Sequence, residues 1–169
     1  MRSLAAFLAE AKPDLVALDG IDKGDALATA TRFDRDWAYL DGGALLWDRR
    51  RFAAHQVADR RSVLCVEGAY AGAPLRTFFV RFASDRSSIR ELRALREALR
   101  AGGAAVLFLV RMRDRIGLSD LGVRTLRCQA DSELSVAVRG FTLTPVEQIV
   151  PARALGARVV MRADAAKSA

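Results

Sequence analysis

The sequence predicts an α/β domain in which two mixed sheets pack together with helices outside. Three observations lead there. The chain has 169 residues, 51% of them hydrophobic, enough to bury one sizeable core within the usual size of a single domain. Periodicity reads as helix, strand, helix, several strands, helix, then more strands. An amphipathic helix also returns the chain directly into the fully apolar run Ala104 to Val110 (AAVLFLV), which is how an α/β layer is built.

The elements follow in order. Leu4, Phe7, Leu8 and Ala11 recur at helical spacing behind Ser3, and Pro13 ends the pattern, so residues 3 to 12 are expected to be helical. Asp14 to Leu18 (DLVAL), bounded by Pro13 and Gly20, suits a short buried strand. A weaker helix is expected from about Gly24 to Arg32. From Trp37 to Phe82 the chain reads as a meander of strands: WAYL, GALLW, Phe52 to Val57, SVLCVEGAY and LRTFFVRF. The imperfect alternation of the last suits a strand covered on both faces.

The clearest helix spans about Ile89 to Arg100. Ser88-Ile89-Arg90-Glu91 has the form of a capping box, Ile89, Leu92, Leu95 and Leu99 are expected to line its packed face, and Gly102-Gly103 supplies the stop. After Ala104 to Val110 comes a polar connection from Arg111 to Gly122. Strands are then expected at Thr125 to Cys128, Leu134 to Val138, Phe141 to Val150 and Arg158 to Met161. Residues 1–163 are expected to form the single domain and 164–169 a flexible tail.

Net charge is +7, and the sequence pI is about 10.4, which favours acidic partners such as nucleic acid, phosphorylated ligands or an acidic protein surface. Most of this charge is arginine, as a coding bias would also give. Cys65 and Cys128 lack the spacing of a zinc site and are too few for a disulfide framework, so both are expected to be reduced and buried. No leader and no membrane-length apolar run is read, which leads to the expectation of a soluble cytoplasmic protein that does not engage a membrane.

Several segments resemble the endonuclease/exonuclease/phosphatase superfamily. Lys12-Pro13-Asp14-Leu15-Val16-Ala17-Leu18-Asp19-Gly20 is similar to that family's "kPDvvaLQEv", and Gly42-Gly43-Ala44-Leu45-Leu46-Trp47-Asp48-Arg49-Arg50 to its "GnaiLsr". Phe79-Val80-Arg81-Phe82 with the following helix resembles "tHL…R..Ql..L". Val136 to Phe141 resembles "iDhvfvrg", and Ala154 to Val160 resembles "lSDHrpv". The order is the family's own. The resemblance implies a four-layer α-β-β-α sandwich of the deoxyribonuclease type, with its site at one rim of the paired sheets and without the family's first strand, since this chain begins at the following helix.

The resemblance also implies that the family's chemistry is missing. Magnesium needs carboxylate oxygens, and the attacking water needs an acid/base histidine with oriented Asp and Asn side chains. The metal-binding glutamate falls on Gly20, the histidine on Arg81, the Asp of "iDh" near Leu134, and the final Asp-His pair on Gly156 and Ala157. "GDFN" is replaced around Leu109-Val110-Arg111-Met112. Asp19, one residue away from the glutamate position, is expected to point away from the site. Asp22, Asp120, Asp131 and Glu133 read as solvated acids, and His55 as an exposed or structural histidine. No catalytic residue, metal or other cofactor is therefore expected.

Arg81, Arg111, Arg113 and Arg158 could instead bind an anion through guanidinium forks, or simply cover the surface. The expected function is a non-catalytic binding or scaffold module for an anionic ligand, nucleic acid or a partner protein. Nucleic acid is the weaker case, because no aromatic residues interleave the clusters Arg49-Arg50-Arg51 and Arg60-Arg61. The alternatives are a metal-dependent phosphodiesterase, nuclease or phosphatase with displaced ligands, and a structural subunit of a larger assembly.

Overall fold

The computed structural model describes residues 4–59, 63–82, 88–110, 122–127 and 134–140. Among the described residues three helices, α1 (Leu4–Ala11), α2 (Lys23–Arg32) and α3 (Ser88–Leu99), accompany nine strands. These are β1 (Leu15–Asp19), β2 (Asp36–Leu40), β3 (Gly43–Trp47), β4 (Phe52–Asp59), β5 (Val63–Tyr70), β6 (Ala73–Arg81), β7 (Ala105–Val110), β8 (Arg124–Arg127) and β9 (Leu134–Arg139). The smaller sheet has the order β1-β3-β2 and is antiparallel throughout. The larger runs β4-β5-β6-β7-β9-β8, with one parallel junction, β6 to β7, bridged by α3.

Side chains alternate faces along a strand, and here that alternation sorts the apolar residues into three cores. Val16 and Leu18 of β1 and Ala44 and Leu46 of β3 pack with Leu8 of α1 and Ala26 and Ala30 of α2. Their neighbours Leu15, Ala17, Leu45 and Trp47 face the larger sheet, where they meet Leu64, Val66, Leu75, Phe79 and Val106. On the far side of the larger sheet, Val63, Cys65, Phe78, Val80 and Leu107 pack under Ala94, Leu95, Ala98 and Leu99 of α3. Helix, sheet, sheet and helix therefore stack in four layers.

Several elements differ from their sequence reading. The meander is divided, because β2 and β3 belong to the small sheet and β4 to β6 to the large one. The turn between them is closed by the Asp48 carboxylate, which accepts from the Arg50 amide, and by the Asp48 carbonyl, which accepts from the amides of Arg51 and Phe52. Ile89 is 67% exposed rather than packed. At about 100° per residue it lies roughly 60° beyond Leu92, and Ala94 and Ala98 fill the face expected of it. Helix α2 starts at Asp22, whose carboxylate accepts from the Asp25 amide at 2.9 Å, and that backbone hydrogen bond holds the carboxyl below its ordinary range. The expected strands at 141–150 and 158–161, together with Cys128 and the 164–169 tail, lie outside the described residues.

Candidate functional site

Strand direction fixes which residues share the rim. Because β6 and β7 are parallel, Arg81 and Val110 end at the same side of the large sheet, and Leu134 starts there opposite Val110. In the small sheet, β1 ends at Asp19, paired with Gly43 at the start of β3. Leu15 and Ala17 face the larger sheet, so Asp19 faces it too, and the same alternation from Leu75 through Phe79 turns Arg81 toward the smaller one. Asp19 and Arg81 consequently meet between the sheets, with Arg81 Nε 3.1 Å from Asp19 Oδ1, an ion-pair distance without hydrogen-bond alignment. Their side chains are 26% and 23% exposed respectively.

The turn between β2 and β3 closes over this pair. Arg81 Nη1 donates to the Asp41 carbonyl at 2.7 Å. Asp41 and Gly42 have φ of +39° and +78°, the pair of positive values that a two-residue hairpin turn of type I′ needs. Glycine is needed at Gly43 for space, whereas at Gly42 the neighbour is the movable end of Arg81. A Cβ on Gly42 would lie 2.7 Å from Arg81 Nη1, and one on Gly43 would collide with the Phe79 ring. The Tyr39 hydroxyl accepts from the Gly42 amide at 3.0 Å and donates to the Ile21 carbonyl at 3.4 Å, while the Ile21 amide donates to the Gly42 carbonyl at 3.1 Å. The segment after β1 is thereby tied to the turn.

This geometry corrects one expectation: Asp19 points toward the rim rather than away from it. β1 extends one residue further than its apolar run, and Gly20, with φ of +69°, is the exposed turn that leaves it. Gly20, where the sequence resemblance puts a glutamate, offers no donor, and Arg81, where it puts a histidine, is a guanidinium already engaged by a carboxylate. A divalent cation does not fit these residues, because the Asp19 carboxylate is already in contact with a fixed positive charge. Among the described residues no group of three or more His, Cys, Asp or Glu side chains is arranged to hold a metal ion.

The remaining candidates fall elsewhere. His55 is exposed on β4, where the pairing with β5 shifts register between Ala54 and Gln56. Arg49 and Arg50 share Asp34, and Arg51 Nε lies 3.3 Å from Asp14 Oδ1, so each arginine of this run sits against a carboxylate. Leu134 opens β9. Arg111, Arg113, Gly156, Ala157 and Arg158 lie outside the described residues, as do Asp120, Asp131, Glu133 and Arg60-Arg61.

Sequence reasoning missed a second polar clasp at the opposite rim. There the Tyr70 hydroxyl of the large sheet donates to Asp14 Oδ2 at 2.6 Å, just ahead of β1. Burial first, and then Asp14, pushes the Tyr70 hydroxyl pKa above its ordinary value. Arg35 Nη1 reaches the Asp14 carbonyl at 3.4 Å, and burial lowers the Arg35 pKa against the opposing pull of Asp48 and Asp14. No spacing rule links Asp14 to Tyr70, 56 residues apart; only the register of the two sheets does.

No family model matches the sequence, and no curated protein matches it significantly. Solved structures do. TDP2 of D. rerio, complexed with a single-strand DNA product, superposes at a TM-score of 0.61 and 12% identity, over 80% of this chain and 74% of that one. The human Nocturnin catalytic domain with bound sulfate anion gives a TM-score of 0.63 at 12% identity, over 80% and 72%. An endonuclease/exonuclease/phosphatase family protein from Leptotrichia buccalis gives 0.51 at 10%, over 80% and 78%. The chain has the fold of these proteins. No helix among its described residues is long and apolar enough to cross a membrane.

Proposed function

We propose that this chain, which carries the endonuclease/exonuclease/phosphatase fold, is a non-catalytic binding or scaffold module whose rim meets an anionic ligand or a protein partner. The observation that carries this reading is the Asp19–Arg81 pair: where the family resemblance calls for a histidine and a metal-binding glutamate, an internal cation neutralises the carboxylate and Gly20 contributes nothing. Among the similar structures, one holds a DNA product and another a sulfate, so anions belong to this fold's range of ligands. Arg81, Arg111, Arg113 and Arg158 would supply the charge. Arg81 would do so by exchanging Asp19 for the incoming anion, since a guanidinium fork binds phosphate or carboxylate alike.

The test pairs hydrolysis with thermal denaturation. A generic phosphodiester is incubated with the purified protein and Mg2+ or Mn2+, and the melting temperature is followed with each metal. The expected result is no turnover above the protein-free control and no metal-induced rise in melting temperature. Metal-dependent turnover that scales with protein concentration and survives repurification overturns the reading in favour of a phosphoester hydrolase with displaced ligands. Copurification from native cells then identifies the ligand or partner.

A further inference from the structure

A dense exposed cluster of positive charge lies on α3, away from the rim. At about 100° per residue, Glu91, Ala94, Leu95, Ala98 and Leu99 face the large sheet and are buried. The outward face carries Ile89, Arg93, Arg96 and Arg100, flanked by Arg90 and Glu97, and all six are exposed. Arg93, Arg96 and Arg100 form a row about 10 Å long, at about 1.5 Å of rise per residue, and with Arg90 at its flank they face one exposed carboxylate.

This row differs from the Arg49–Arg51 cluster and from Arg81. Arg49, Arg50, Arg51 and Arg81 each sit against an aspartate, whereas the side chains of Arg90, Arg93 and Arg100 make no hydrogen bond or ion pair among the described residues. The C-terminal end of the helix adds to the imbalance. Arg76 Nη1 donates to the Ala98 carbonyl at 2.7 Å, and Arg139 donates to the Leu99 and Gly103 carbonyls at 3.0 Å. The Nη2 of each is left without a partner among the described residues. Burial, then the nearby Arg76, hold the Arg139 guanidinium below its ordinary pKa, as crowded like charges do.

We propose that the outer face of α3 is a docking surface for the phosphate backbone of duplex nucleic acid, contacted by Arg90, Arg93, Arg96 and Arg100. Guanidinium groups match phosphate oxygens in a bidentate fork, and a duplex carries a negative charge about every 1.7 Å of its axis, so the row Arg93, Arg96 and Arg100 with Arg90 at its flank meets several at once. A single strand is disfavoured because no aromatic side chain stands among these arginines to stack its bases. An acidic protein is disfavoured because its docking would want a buried apolar centre, and this face offers only Ile89, at one end. The interactions are with the backbone and read no sequence. Because α3 covers the large-sheet face remote from the small sheet, the surface stands or falls independently of the rim.

The test is fluorescence anisotropy of a short labelled DNA duplex across a salt series. Arg93→Gln/Arg96→Gln/Arg100→Gln is compared with Lys12→Gln/Lys23→Gln/Arg32→Gln, which removes equal charge from other exposed positions. Glutamine keeps arginine's helix propensity, so α3 should persist, and circular dichroism checks that it does. The α3 variant is expected to bind roughly tenfold or more weakly, with the log–log salt slope flattened by about 0.9 for each phosphate it no longer neutralises, while the control stays near wild type. Four outcomes overturn the proposal: no duplex binding by the wild type, equal losses in both variants, tighter binding of a single strand of the same length, or displacement of the duplex by an acidic peptide at equal charge concentration.

Discussion

Arg81 and Asp19 face each other across the gap between the two sheets, 3.1 Å apart, each delivered by the last residue of its strand. The pair joins the two layers, and Arg81 extends the link to the Asp41 carbonyl. At the opposite rim Tyr70 and Asp14 do the same with a neutral donor. The inter-sheet core is thus fastened at both ends, so the rim is structurally occupied at the place where the family resemblance puts chemistry.

Arg81→Met should lower stability by about 1–3 kcal/mol, since it leaves a partly buried carboxylate without its cation and the Asp41 carbonyl without its donor. Arg81→Lys should recover only part of this, because one ammonium replaces a fork that reaches two partners. Urea denaturation of the three proteins measures both. A loss within a few tenths of a kcal/mol for Arg81→Met would mean the pair is solvent-screened and contributes nothing.

The two turn glycines should respond unequally. Gly43→Ala drives a methyl into the fixed Phe79 ring and is expected to cost several kcal/mol, with Gly43→Ala/Phe79→Leu partly recovered. Gly42→Ala meets the movable end of Arg81, and its cost of about 1–2 kcal/mol comes mostly from the positive φ. Equal losses at the two positions would contradict the close approach of β3 to β6.

The Tyr70 hydroxyl gives the fold a pH signature. Its folded-state pKa is raised above the ordinary 10.0, so above that value the unfolded chain releases a proton that the folded one retains. The contribution is therefore full below about pH 10 and lost as pH rises through the folded pKa. Wild type should lose stability more steeply than Tyr70→Phe as pH rises above about 10, by chemical denaturation. Parallel slopes would show that the hydroxyl titrates alike in both states.

Much of the frame is legible in the sequence because it rests on local rules. Pro13 and Gly20 bracket β1, Gly102-Gly103 follows α3, and the run AAVLFLV is apolar on both faces, as a strand between two cores must be. That same two-sided burial hides which face is which. In Leu15-Val16-Ala17-Leu18 every residue is apolar, so nothing local shows that Asp19 turns toward the other sheet. Ile89 is misplaced by periodicity for a related reason: leucines and isoleucine alone outline the packed face, while small Ala94 and Ala98 fill it. Ion pairs such as Arg49–Asp34 and Arg51–Asp14 depend on where the chain crosses between sheets, so a basic run carries no local sign of being neutralised.

The parallel junction of β6 with β7 has a consequence for the order of assembly. The β2–β3 and β5–β6 hairpins close through two-residue turns, Asp41-Gly42 and Ala71-Gly72, whose four φ values are all positive. Such pairings need little loop entropy and form on the microsecond scale, about 1–10 μs. Joining β7 to β6 must instead wait for a crossover through α3. Refolding should therefore be limited by this late, long-range closure, with β7 and β9 gaining amide-exchange protection after the hairpins have theirs.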